Sequence, residues 1–184
     1  MTQATKAALL VTDLPKGWEG GVASDPTPTL RSSVKYAPEN CWQVRNPTRD
    51  RGAPASAVRG QYFIRVGDNP ISVTEFIYSW TTPQLPIVQR ISEILPQCAA
   101  FTATWYGGET FRASVRQLSV PGLRDGIVLR TDYPDPPNAT GYVAYVARGG
   151  TLLELEGAND TFTGDGAFVR LVTTAVARLD AAIG

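Results

Sequence analysis

The amino-acid sequence predicts an α+β fold: an antiparallel sheet of about six to seven strands with helices packed on one face. Three observations carry this expectation. Gly-Gly pairs at 107–108 and 149–150 each join two β-type segments by a tight turn, which forces antiparallel hairpins. Two segments, 83–95 and 163–183, place apolar residues at helical spacing. The chain has 184 residues, 43% of them hydrophobic, enough for one core, so residues 1–184 read as a single domain.

Taken in order, "TKAALLVTDL" (5–14) reads as a short helix ended by Pro15. Residues 15–57 are rich in Pro, Gly, Ser and Asp and read as loop with short strand or turn pieces. A short buried helix is accommodated near "PENCWQV". From Val58 the pattern turns β. "VRGQYFIRV" and "ISVTEFIYSW" are β-branched and aromatic, and "GDNP" (67–70) separates them as a turn. "PQLPIVQRISEIL" then sets Leu85, Val88, Ile91 and Leu95 on one helical face, and Pro96 stops it.

The hairpin at 149–150 allows a register. A two-residue loop sets Arg148 opposite Thr151, Val146 opposite Leu153 and Ala144 opposite Leu155. The other face sets Tyr145 opposite Glu154 and Val143 opposite Glu156, so one face is apolar and the other mixed. At 107–108, a two-residue turn puts Phe111, Ala113 and Val115 with Tyr106, and Phe101 and Trp105 on the opposite face. Either both faces are covered there or one lines a cleft. "DGIVLRTDY" is a further strand. The last segment carries a broad stripe of Phe168, Leu171, Val172, Ala175, Val176, Leu179 and Ile183, with Asp165 suited to the helix N-terminus.

Composition excludes several functions. Histidine is absent, which removes Ser-His-Asp and Cys-His triads and histidine-ligated zinc. Seventeen basic and seventeen acidic residues give no net charge, so nothing invites nucleic acid or an anionic membrane surface. No run of 18 apolar residues spans a membrane. "MTQATKAALLVTDLP" lacks a signal peptide's pattern, and both a cytosolic protein and an exported domain shown without its leader read this way. Cys41 and Cys98 enclose a loop long enough for a stabilising bridge, or are two buried thiols; spacing leaves both open.

Dispersed motifs, in order along nearly the whole chain, resemble a known family. They are "AALLVTDLPKGW", "ENCWQV", "ILPQCAAF", "VPGLRDGIVLR", "YVAYVARGGTLLELEG" and "FVRLVTTAVARLDAA". Together the chain resembles the extracellular sensor domain of PknH-type receptor kinases of actinobacteria, a domain that recurs in secreted lipoproteins. "GLRDG" departs from the family's Gly-Asp turn, so Asp125 matches only loosely. The resemblance implies a Cys41–Cys98 disulfide and an extracytoplasmic, non-enzymatic sensor domain, secreted or anchored in the cell envelope. It would be held at the membrane only through a tether absent from this chain. It also implies a cleft for an unknown small molecule or envelope component, with no cofactor.

Within that frame a cleft lined by Trp42, Tyr78, Trp80, Trp105 and Tyr106 is the candidate ligand site, because rings with polar tips suit carbohydrate or lipid-like ligands. Trp42 is included because it follows Cys41. The plainer alternative is that these rings pack the core. A protein partner using the Pro-rich segments 26–28 and 134–137 is the rival function. A carboxylate-dependent hydrolase ranks below it. For that role Glu75, flanked on its face by Val73 and Ile77, is a candidate acid or the partner of Arg65, and Glu154 and Glu156 are a candidate pair or an ordinary solvent face. Asn159, Asp160 and Asp165 are a conceivable calcium loop or a lead into a helix cap, without an EF-hand's spacing; no metal is assigned. "NAT" (138–140) and "NDT" (159–161) match glycosylation sequons.

Overall fold

The computed structural model describes residues 3–23, 34–45, 47, 55–65, 71–105, 107–134, 139–158 and 164–183. The elements are α1 (Gln3–Ala7), β1 (Trp18–Val22), β2 (Lys35–Ala37), α2 (Trp42–Arg45), β3 (Ala57–Arg65), β4 (Ile71–Ser79), α3 (Leu85–Ile94), β5 (Ala100–Thr104), β6 (Thr110–Leu118), β7 (Gly126–Tyr133), β8 (Ala139–Arg148), β9 (Thr151–Ala158) and α4 (Asp165–Ile183). The α+β class holds. The strands form one antiparallel sheet of nine, in the order β1-β3-β4-β9-β8-β7-β6-β5-β2. The two strands beyond the expected number are its edges. "WEGGV" has no apolar alternation and β2 has three residues, so neither gives a periodic signal.

Helices cover both faces, not one. On the first face α1 and α4 bury Leu9, Phe63, Ile77, Val146, Leu153, Leu155, Phe168, Val172 and Leu179. Phe168 stacks on Tyr142 at 5.1 Å between centroids. On the second face α2 and α3 cover Phe76, Val88, Ile91, Phe101, Leu129, Tyr145 and Leu152. Burial from both sides explains why β8 reads as a nearly continuous apolar run.

The β8–β9 register is the expected one at all five predicted pairs. The turn glycines have separate reasons. Gly149 has φ +54°, and a Cβ at Gly150 would run into the carbonyl oxygen of Trp80. The hairpin at 107–108 differs from expectation by one residue. Thr104 faces Thr110, Trp105 N–H donates to Glu109 O at 2.8 Å, and Gly108 has φ +83°, so the loop has three residues. The shift pairs Phe101 with Ala113 and Ala103 with Phe111, bringing both sets of apolar residues onto the covered second face.

The first helix is shorter than predicted, ending at Ala7 before a 3₁₀ turn at Val11–Asp13. Two carboxylates claim the amides between them. Leu9 N–H donates to Glu75 Oε2 at 2.9 Å, and Leu10 N–H donates to Asp13 Oδ2 at 2.7 Å. Asp13 in turn takes two contacts from Arg178 on α4, Nε to Oδ2 at 2.6 Å and Nη2 to Oδ1 at 2.9 Å. The α3 segment behaves as predicted, burying Val88 and Ile91, then tightening into a 3₁₀ turn at Leu95–Cys98.

Candidate functional site

Cys41 and Cys98 are bonded, with Cα atoms 5.4 Å apart and both side chains buried. The bridge pins the start of α2 to the segment after α3, and Asn40 Nδ2 adds a hydrogen bond to Gln97 Oε1 at 3.0 Å. Because β5 follows Cys98 and β2 pairs with β5, the same staple anchors that sheet edge.

The aromatic residues expected to line a cleft are divided. Tyr78 is buried in the second core, stacked between Phe76 at 5.9 Å and Trp80 at 5.6 Å. Trp80 lies past the end of β4, where its N–H donates to Gly150 O at 2.8 Å. Trp105 is 51% exposed past the end of β5, in a row with Phe111 at 6.1 Å, itself 5.8 Å from Tyr133. Four strands separate β4 from β5 and the two run in opposite directions. Trp80 and Trp105 therefore stand at opposite ends of the sheet, about 24 Å apart across it. Trp42 is half-buried beside the bridge. Tyr106 lies outside the described residues, as do the turn 67–70, segments 26–28 and 135–137, Asn138, Asn159 and Asp160.

The carboxylates also depart from expectation. Glu75 is 1% exposed and stands opposite Gln61, so its partner is the Leu9 amide and not Arg65. Burial pushes its carboxyl up to about 7, opposed by the Leu9 hydrogen bond and by Arg178 and Arg59; Asp13 pushes it the same way as burial. Glu154 is not on a solvent face. It is 1% exposed, because α2 and α3 cover the face that alternation alone marked as mixed. Among the described residues no three His, Cys, Asp or Glu side chains converge as metal ligands.

A concavity lies elsewhere, on the first face over β6, β7 and β8. A groove of about 550 Å³ is lined by Arg112, Ser114, Arg130, Asp132, Tyr133, Pro134 and Thr140, among others. Register explains it. Ser114 faces Asp132, Asp132 faces Thr140, Arg116 faces Arg130, and Arg130 faces Tyr142. Directly opposed arginines repel. Asp165, the first residue of α4, lies between them. It accepts from Arg116 Nη2 at 2.6 Å, Arg130 Nη1 at 2.9 Å and the Tyr142 hydroxyl at 3.1 Å. Asp132 accepts from Arg130 Nε at 2.7 Å and from Thr140 at 3.2 Å. Burial works against the Asp165 charge, but hydrogen bonds from Arg116, Arg130 and Tyr142 outweigh it and hold the carboxyl below its ordinary value. Its hydrogen bonds to Asp132 and Asp165 keep the Arg130 guanidinium firmly protonated.

A second cavity of about 290 Å³ adjoins it through the shared residues Tyr133 and Thr140. It also includes Arg45, Ser72, Thr74 and Glu156. Burial would lower the Arg45 guanidinium, but Tyr133, Glu156, Tyr145 and Tyr36 raise it above its ordinary value. Composition and spacing single out none of the groove's arginines. The signal was faint but present: Arg112, Ser114 and Arg116 alternate along one strand, as do Arg130 and Asp132 along the next.

Asp165→Asn is expected to cost about 1 kcal/mol, since it removes the charge separating Arg116 from Arg130 at a partly solvated site. Urea titrations at low and high ionic strength check this; the cost should shrink with salt.

The fold, a nine-stranded antiparallel sheet between two helical layers among the described residues, is similar to that of mycobacterial proteins of known structure. One is the extracellular domain of PknH from Mycobacterium tuberculosis, with a TM-score of 0.71 at 14% identity, covering 98% of this chain and 94% of that one. Another is an uncharacterized protein, the Rv0999 ortholog, from Mycobacterium smegmatis, with a TM-score of 0.54 at 15% identity, covering 96% of each chain. No family model matches the sequence, and no curated protein matches it. The resemblance read from the ordered motifs thus has its counterpart in three dimensions.

Proposed function

We propose that this chain is an extracytoplasmic, non-enzymatic sensor or ligand-binding domain. It takes a small polar molecule or cell-envelope component in the groove between β6, β7 and β8. The observation that carries this reading is the end-to-end likeness to the PknH extracellular domain. A buried disulfide supports export, since such bridges persist in oxidising compartments. The polar lining supports a polar ligand. Among the described residues no helix is long and apolar enough to cross a membrane, so an anchored form would need a tether outside them.

Two measurements test the proposal. Unreduced protein from native cells should be lighter by the hydrogens of the two lost S–H bonds; free thiols there would remove the compartment argument. A screen of polar fragments and envelope extracts, read by backbone amide shifts, should move Ser114, Asp132 and Thr140. Shifts confined to Trp105 and Phe111 would favour a protein partner, a second reading that the exposed Trp105 ring supports. No shift at the groove with any compound would overturn the ligand-binding reading.

A further inference from the structure

We propose that the groove selects an oxyanion, a carboxylate or phosphate on a small polar molecule, and that Arg112 is the residue that captures it. This rests on the groove being the ligand site. Arg112, Arg130 and Asp132 line the groove, and beside it Arg116 and Asp165 balance each other, which leaves one positive charge in excess on a chain of zero net charge. Both aspartates are paired. Asp165 is shared by Arg116 and Arg130, and Asp132 is held by Arg130 and Thr140. Among the described residues Arg112 has no ion-pair partner, and its strand places it on the groove face, one pleat beyond Ser114.

Arg112 faces Thr102 across the β5–β6 pair, and Ser114 supplies a hydroxyl beside it. A guanidinium fork matches two oxygens of a carboxylate or phosphate and carries its charge at every physiological pH. The carboxylate of Asp132 would repel an anion, but Arg130 neutralises it at 2.7 Å. Arg130, held by Asp132 and Asp165, is the wall against which the rest of the ligand lies. The cavity is large enough for a monosaccharide-sized molecule.

The test uses the folded, oxidised protein and three probes that share a sugar ring: glucose 6-phosphate, glucuronate and glucose. Side-chain Nε–H and backbone amide shifts are followed in titrations. Saturable movement of the Arg112 and Ser114 signals is expected with a charged probe. Response to the phosphate alone or the acid alone identifies which oxyanion is read. Arg112→Gln should weaken binding by about tenfold and Arg112→Lys by less, because lysine keeps the charge and loses the fork. An unchanged thermal midpoint and unchanged distant shifts would show that both variants fold. If glucose binds as well as the charged probes, or Arg112→Gln binds unchanged, the oxyanion proposal is overturned while the groove remains a ligand site. If no probe and no fragment moves the groove signals, both fall.

Discussion

Removing the Cys41–Cys98 bridge, by changing both residues to alanine, is expected to lower the free energy of unfolding by about 4 kcal/mol. The bonded residues are 57 positions apart, and closing a loop of that length removes much of the unfolded chain's freedom. The bridge also holds α2 against α3 on a face where both cysteines are fully buried. Reductant should therefore act slowly on the native protein and quickly once it unfolds. Denaturant titrations of the oxidised protein and the double variant measure the difference. A loss under about 1 kcal/mol would show that packing holds α2 and α3 in place without the covalent link.

Glu75 is expected to make stability depend on pH across the neutral range. In the unfolded chain its carboxyl titrates near 4.5, and in the folded protein near 7. Between those values the folded state holds the proton longer, so the group's contribution is fully present below about pH 4.5 and declines as pH rises through 7. The decline amounts to about 3 kcal/mol. Glu75→Gln keeps an oxygen for the Leu9 amide and cannot ionise. Relative to wild type it should gain about 3 kcal/mol between pH 4.5 and pH 8, measured by urea titration at several pH values. Parallel curves for the two proteins would mean that Glu75 ionises freely where it stands. The same group shapes the fold locally, because the amide it accepts from is the one that would have continued α1.

The sequence was most legible where periodicity is strong and local. The α3 stripe of Val88 and Ile91, the α4 stripe of Phe168, Leu171, Val172, Ala175 and Leu179, and the β8–β9 register all follow from spacing. It was less legible where long-range contacts decide. Nothing near Glu154 indicates that α2 and α3 bury its face. The loop at Gly108 differs by one residue from the simplest turn, and that residue decides which face Phe101 and Trp105 occupy. The candidate site suffered most. Aromatic residues dominate a reading of composition, yet Tyr78 and Trp80 belong to core stacking, whereas the groove is assembled from arginines and an aspartate on β6 and β7, with Arg130 held by Asp165 of a distant helix.

The two outer strands of the sheet carry a further consequence, for behaviour at high concentration. Among the described residues the sheet of nine strands ends in two outer strands with no further strand beside them, and such edges template self-association between molecules. Here six of the seven inner strands run to eight, nine or ten residues and β5 has five, while of the outer pair β1 has five and β2 three. β1 carries Glu19 and two successive glycines, and β2 opens with exposed Lys35. Short, charged, glycine-bearing margins offer little purchase for a neighbouring copy. A domain so bordered keeps a wide β scaffold without inviting fibrils.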